Sequence, residues 1–394
     1  MNTLFISVPI LDECNWVSFL LESLKAQKDR KFELWVCVNQ PDSWWETQPD
    51  ICKNNQLIIS MLTSCNATFP IHIIDRSSPG KGWSGKQSGV GWARKTLMDT
   101  VSEKANPNDI IVSLDADTTI PPHFLSDIRL AFEKNPKSVG LVAPYLHPIC
   151  GESELDRAML RYEIGLRYYL IHLRSTGSIY DYTALGSAFS TQVWAYQKSG
   201  GMTPKTSGED FYFLQKLCKM GPLLKPTIKP VNPGVRCSSR VPFGTGPAIA
   251  TGMKGDWSRY PIFDAKSFDS IRQTIALFPS LFKQNEATPM DHFFNHIFGD
   301  SDIWSPLRAN FTSVNQFVHA CHTKCDALRL FQFLRLNHQH GRDDKRFMNG
   351  MAKLFPNDPF WHTLQKEGVS FKRDTIAKLD KIRHELFQKD HHDT

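Results

Sequence analysis

Apolar strand-like runs alternate with helix-like runs through the first 115 residues, and this alternation narrows the fold more than any other property of the chain. "LFISVPI", Leu4 to Ile10, reads as a buried strand, and "NWVSFLLESLKAQ" behind it carries Val17, Leu20, Leu21 and Leu24 at helical spacing. "FELWVCVN", Phe32 to Asn39, reads as a second strand. Strand, helix and strand this close together make a βαβ unit with a right-handed crossover and parallel strands. A third strand is expected at Ile71 to Asp75, then a glycine-dense loop, "SSPGKGWSGKQSGVG", and a helix, "WARKTLMDTVSEK". A fourth strand is expected at Ile110 to Leu114. The series predicts an α/β fold, an open and mostly parallel sheet with flanking helices, that binds ligands at the carboxyl ends of its strands.

Beyond Leu125 the alternation loosens. "ELDRAMLRYEIGLRYYLIHLRS" reads as a long helix, "GEDFYFLQKLCKMG" starts another directly behind two acids, and from about Ser267 the composition turns to helices rich in Phe, His and Leu. Two regions are expected: 1–250, an α/β domain that carries the ligand site, and 251–394, mainly helical. The formal charge of +6 over 394 residues, with scattered basic residues, argues against nucleic acid as a partner. Nine cysteines in an odd, dispersed set suit a reducing compartment. "MNTLFISVPILDE" lacks the features of a secretion signal, and no apolar run is long enough to span a bilayer. A cytoplasmic location follows as the expectation. Lys378, Lys381 and Arg383 on the last helix offer a basic face for peripheral contact with an anionic inner membrane face, against a solvated charged face as the plainer reading. "HACHTKC", His319 to Cys325, has metal-like spacing but no second half-site, and a plain helix is the simpler reading.

The fourth strand ends in two carboxylates, Asp115 and Asp117, with Ala116 between them. Residues two apart on a strand share a side, so the pair is expected to sit together where the sheet opens to solvent, with a cation between. Downstream, "SGED" sets Glu209 and Asp210 at a helix start, where the macrodipole favours ionised carboxylates. Either pair alone is equally an ordinary turn or helix start. Together they suit a metal-held diphosphate and a general base. A dehydrogenase needs G-x-G-x-x-G after the first strand, where "PILDECN" has no glycine. A P-loop needs a hydroxyl after Gly85-Lys86, where Gln87 stands.

Five segments in order resemble the inverting, metal-dependent family-two glycosyltransferases of the GT-A fold. "SVPILDE" is similar to the family's V-P-x-x-x-E, "VCVNQPDS" stands where V-D-D-x-S is usual, and "GKGWSGKQSGVGWA" resembles its glycine-rich run with Lys86 and Gln87 replacing Arg-Asn. "SLDADTTIPP" matches the D-x-D signature. "LGSAFSTQVWAYQKSGGM…GEDFYFLQKL" resembles the acceptor-site block through Gly186, Gly200, Gly201 and the Glu-Asp pair. The resemblance implies a GT-A-type sheet, a nucleotide-diphospho-sugar donor and Mn2+ or Mg2+. It also implies Pro9, Glu13 and Asn39 at the base and ribose, Asp115 as a ribose and metal-water contact, Asp117 as the direct metal ligand, and Asp210 as the base with Glu209 beside it. Lys86, at the Arg-Asn position of the glycine-rich run, is implied as a nucleotide-sugar contact, and Arg236 and Arg240 are candidates for clamping the diphosphate, since guanidinium matches phosphate in a fork; an ordinary surface loop is the alternative for both arginines. The family's polymer synthases carry Q-x-x-R-W and membrane helices, both absent here, so single transfer to a sugar- or lipid-linked acceptor is expected. Two other classes stay open: a sugar-phosphate nucleotidyltransferase, and a non-catalytic sugar-nucleotide-binding scaffold.

Overall fold

The computed structural model describes residues 2–85, 87–186, 188–235, 244–300, 302–339 and 341–392, with residues 391 and 392 described as backbone only. The alternation becomes one seven-stranded sheet made of β1 (Leu4–Ile10), β2 (Phe32–Asn39), β3 (Ile71–Arg76), β4 (Ile110–Ser113), β5 (Gly140–Val142), β6 (Phe189–Gln192) and β7 (Leu223–Leu224). Their order is β3-β2-β1-β4-β6-β5-β7. β3, β2, β1 and β4 are mutually parallel, β7 is parallel to β5, and β6 alone runs against its neighbours β4 and β5. The sheet is therefore mixed and mostly parallel, as the alternation predicts, with one reversed strand that the sequence pattern does not announce.

β1 and β4 are buried along their whole length, and β2 everywhere except Glu33, the pattern of strands covered on both faces. The helix Cys14–Lys25 lays Val17, Leu20, Leu21 and Leu24 into the core that also holds Leu4, Ile6, Val8, Val36 and Val112. Burial of each such side chain contributes about 1.5–3 kcal/mol. One helix, Pro49–Ser64, has no counterpart in the sequence reading, because its buried face mixes Asn55 with Cys52, Ile58 and Leu62.

The chain divides into a sheet unit, 1–150 with 184–247, and a helical unit, 151–183 with 248–394. The long helix Ser153–Arg174 thus belongs with the C-terminal helices and not with the sheet that precedes it in sequence. A buried charge network ties it to the last helix, Ile376–His392. Arg167 binds Glu163 at 2.8 Å and Asp390 at 3.1 Å, Arg174 binds Asp390 at 3.0 Å, and Arg383 reaches Glu163 at 3.5 Å. Of the three basic residues expected to face a membrane, Arg383 is turned inward, and Lys378 is tied to Asp374 at 3.2 Å and to the Gly368 carbonyl at 2.8 Å. Among the described residues no helix is long and apolar enough to cross a membrane. "HACHTKC" lies on the helix Val314–Lys324 and its end, and no described group of three or more His, Cys, Asp or Glu side chains can hold a metal ion there or elsewhere.

Removal of one partner from a buried pair leaves an uncompensated charge and costs more than the pair itself contributes. Asp390→Ala leaves Arg167 and Arg174 without that carboxylate, and urea unfolding followed through the helical signal should show a loss on the order of 3 kcal/mol. Unchanged stability would mean that the last helix is held by its apolar face alone.

Candidate active site

Pro9, Glu13, Asn39, Asp115, Asp117, Glu209 and Asp210 all lie in the sheet unit, at or just beyond the carboxyl ends of β1, β2 and β4 or at the start of the helix Glu209–Cys218. The strand-alternation argument for Asp115 and Asp117 does not hold, because β4 stops at Ser113 and the chain turns, the Thr118 N–H donating to the Asp115 carbonyl at 3.1 Å. The two acids are placed by different neighbours. Asp115 accepts from Arg94 Nη2 at 2.5 Å. Asp117, partly exposed, is backed by Gly234, where an added Cβ would come within 2.9 Å of the Asp117 Cβ. The strip carrying Gly234 is itself pinned by paired backbone hydrogen bonds between Thr119 and Asn232, at 3.0 and 2.9 Å.

Arg94 is the residue that sequence reasoning missed. It sits on the helix Val90–Lys104, on the same buried face as Leu97, Met98 and Val101, and is 1% exposed. Its Nε donates to Ser113 Oγ at 3.0 Å, its Nη2 to Asp115, and its Nη1 to Glu209. Ser113 Oγ in turn donates to the Gly186 carbonyl at 2.8 Å. A Cβ at Gly186 would lie 2.7 Å from Arg94 Nη2, so a side chain there would have to displace the guanidinium. The signal in the sequence is a charge at position 94 on a face otherwise made by Leu97, Met98 and Val101, a spacing that describes an apolar helix stripe.

The helix Glu209–Cys218 begins behind Gly208, whose φ of 74° is the left-handed conformation that glycine adopts without steric cost. Phe213, Leu214 and Leu217 bury its inner face, with Phe213 against Phe189 of β6 and against Tyr196. This packing fixes the first turn, with Glu209 buried on Arg94 and Asp210 partly exposed. Burial pushes both carboxyls above the usual carboxylate range; Arg94 opposes the rise for each, and the neighbouring acids reinforce it. Arg94 itself is disfavoured as a cation by burial, but Glu209, Asp115 and Asp210 outweigh that and hold its pKa above the ordinary value. One guanidinium thus faces three carboxyl groups, and Asp115 reinforces the rise of both Glu209 and Asp210.

The base-side candidates are more enclosed than the sequence implies. Pro9 is buried in β1, in register with Cys37 of β2. Glu13 is buried at the start of the helix Cys14–Lys25, where its carbonyl accepts from Trp16 and Val17. Asn39, 2% exposed, donates from Nδ2 to the Ile10 carbonyl at 2.9 Å and accepts at Oδ1 from the Trp83 indole at 3.1 Å. It therefore fastens the glycine-rich loop to the ends of β1 and β2. Asp12, between β1 and Glu13, has φ 58°, uncommon for a residue with a side chain. Asn55 accepts from its N–H at 2.9 Å and Asn54 donates to its carboxylate at 2.8 Å, so the unassigned helix Pro49–Ser64 holds this turn in shape. Lys86, Arg236 and Arg240 lie outside the described residues.

A divalent ion fits the donor set without a protein cage. Magnesium commonly takes one or two carboxylates and completes its shell with water and substrate phosphate oxygens, and Asp117, with Asp115 beside it on the same turn, offers that number. Comparison with protein-family models finds no match, and comparison with curated protein sequences finds no significant one. Solved structures similar to this chain include S. aureus TarS 1–349 in complex with UDP-GlcNAc, 13% identical over 100% of this chain and 93% of that one, with a TM-score of 0.42. The same protein in complex with UDP is 11% identical over 98% and 89%, with a TM-score of 0.40. A longer S. aureus TarS structure is 12% identical over 86% of this chain and 56% of that one, with a TM-score of 0.41.

Proposed function

We propose that this chain is an inverting glycosyltransferase that moves a hexosyl group from a nucleotide-diphospho-sugar to an acceptor hydroxyl with a divalent metal. The observation that carries the reading is the meeting of two acidic segments, Asp115-Ala116-Asp117 and Glu209-Asp210, on one buried arginine at the carboxyl end of the sheet. A solvated turn and an ordinary helix start have no reason to share a desolvated counter-charge. A donor site beside a base does.

Within this reading the four acids divide the work. Asp117, with Asp115, would hold Mn2+ or Mg2+, which when bound neutralises the charge of the departing diphosphate. Glu209 is buried on Arg94 and anchors the helix start. Asp210, partly exposed and next in sequence, is the group that can meet an acceptor. It takes the acceptor hydroxyl's proton as the oxygen forms a bond to the anomeric carbon, and the bond from that carbon to the diphosphate oxygen breaks with its electron pair leaving on the phosphate. Attack from the face opposite the leaving group inverts the anomeric centre. No enzyme nucleophile is needed, and positioning the two reactants supplies much of the acceleration.

The raised pKa of Asp210 has a definite sign in the kinetics, because only the ionised form accepts a proton. Activity should fall as pH drops through a value above the ordinary aspartate range, and the acid limb of the kcat/KM profile measures it; a limb at or below about 4 would contradict this environment for the base. Asp210→Asn should lower kcat by about 10²–10⁴-fold while leaving donor binding nearly intact, as read by steady-state kinetics and calorimetry.

A panel of nucleotide sugars with and without Mn2+ tests the donor assignment. The correct donor with metal, at about 100 times its Kd, should raise Tm by about 5 °C, and Asp117→Asn should remove the metal-dependent part. Release of pyrophosphate from a nucleoside triphosphate and a sugar phosphate, with no turnover of any nucleotide sugar, would instead identify a nucleotidyltransferase.

A further inference from the structure

We propose that Arg94 is the positioning residue of this site, clamping the β4-end turn and the start of the helix Glu209–Cys218 into one rigid unit and so fixing Asp210 relative to the donor carboxylates. The proposal rests on the glycosyltransferase reading for its kinetic consequence but on geometry alone for the clamp. Arg94 has no part in holding a phosphate, because it is 1% exposed and each of its three nitrogens is already engaged, Nε by Ser113, Nη1 by Glu209 and Nη2 by Asp115. It therefore acts through its partners and not on substrate.

Three features make the clamp specific to a guanidinium. A planar fork reaches two carboxylates and a hydroxyl at once, whereas a lysine offers a single point of charge on a flexible stem. Ser113 is held for its part, since its hydroxyl donates to the Gly186 carbonyl and so turns an acceptor lone pair to Nε. The guanidinium also occupies the space that a side chain at position 186 would take, with Cζ and Nη1 each 3.1 Å and Nη2 2.7 Å from an added Cβ.

A second contact ties the same helix to the same loop. Gly91, one turn before Arg94, lies so close to the backbone of Lys205 that an added Cβ would meet its carbonyl oxygen at 2.1 Å. The segment leading into Gly208 and Glu209 thus rests on the start of the helix Val90–Lys104, and Arg94 closes the contact from the interior. The helix after the glycine-rich loop thereby becomes the spine on which two distant acidic segments are mounted.

The test uses the full chain as Arg94→Met, Arg94→Lys and Gly186→Ala. Gly186 lies outside the positive-φ region, so alanine there is sterically opposed by Arg94 alone among these partners, and the variant displaces the guanidinium without removing its charge. Two readouts are taken on folded protein: kcat and donor KM, and the amide hydrogen exchange of residues 211–214. Arg94→Met should lower kcat by about 100-fold with donor KM changed less than about threefold, and should speed exchange at those amides by about tenfold. Arg94→Lys should recover part of both, and Gly186→Ala should move both in the direction of Arg94→Met. Wild-type exchange at 211–214 in Arg94→Met, or a kcat per folded molecule within about threefold of wild type, would overturn the clamp. If the wild-type chain transfers no sugar, the glycosyltransferase reading fails by itself, and the exchange rates still decide the role of Arg94.

Discussion

A guanidinium taken out of water is tolerated only when its partners are fixed and close, and here the partners come from three separate parts of the chain. Ser113 belongs to the end of β4, Asp115 to the turn behind it, and Glu209 to a helix that follows nearly a hundred residues later. Each contact constrains the others: displacement of the turn leaves Arg94 without Asp115, and displacement of the helix takes Glu209 away from the guanidinium that it is buried on. The energetic penalty for separation, more than any attraction, is what holds the acidic segments in register. Small residues at Gly186 and Gly91 complete the arrangement by letting backbone come where a methyl group would not fit.

The sheet supplies the platform for this. β1 and β4 are buried throughout and adjacent, with Ser7 in register beside Ser113, so the end of β4 is held by the core on which the whole unit depends. β6, which runs antiparallel to β4, brings Gly186, just upstream of it, over Arg94. The acids then fall outside the carboxyl ends of the parallel strands, where an open α/β sheet leaves room for a ligand. At the ends of β1 and β2, Asn39, Trp83, Asn55 and Asp12 form a second set of polar ties that shape the loops after these strands.

Much of this was legible in the residues. Continuous apolar runs gave away β1, β2 and β4, helical spacing marked Cys14–Lys25, and the acids of "SGED" marked the start of Glu209–Cys218. Partnership was not legible. Arg94 reads as one more basic residue in "WARKTL" until its face is known, and then it is a charge among Leu97, Met98 and Val101. The helix Pro49–Ser64 escaped for the same reason, since Asn55 interrupts its apolar stripe. Asp115 and Asp117 were paired by strand geometry, yet the strand had already ended, and long-range neighbours place them. Local periodicity reports which face is buried but not what a buried polar group meets across the core.

If Asp210 and the D-A-D turn serve a single displacement at an anomeric carbon, as proposed, the sugar is transferred with inversion. Proton NMR of the anomeric signal of the glycoside formed on the acceptor, with whichever nucleotide sugar the chain turns over, reads this directly. The account predicts an anomeric configuration opposite to that of the donor. A product that keeps the donor's configuration would require a second displacement or an enzyme nucleophile, and would contradict the roles assigned here to Asp210 and Glu209.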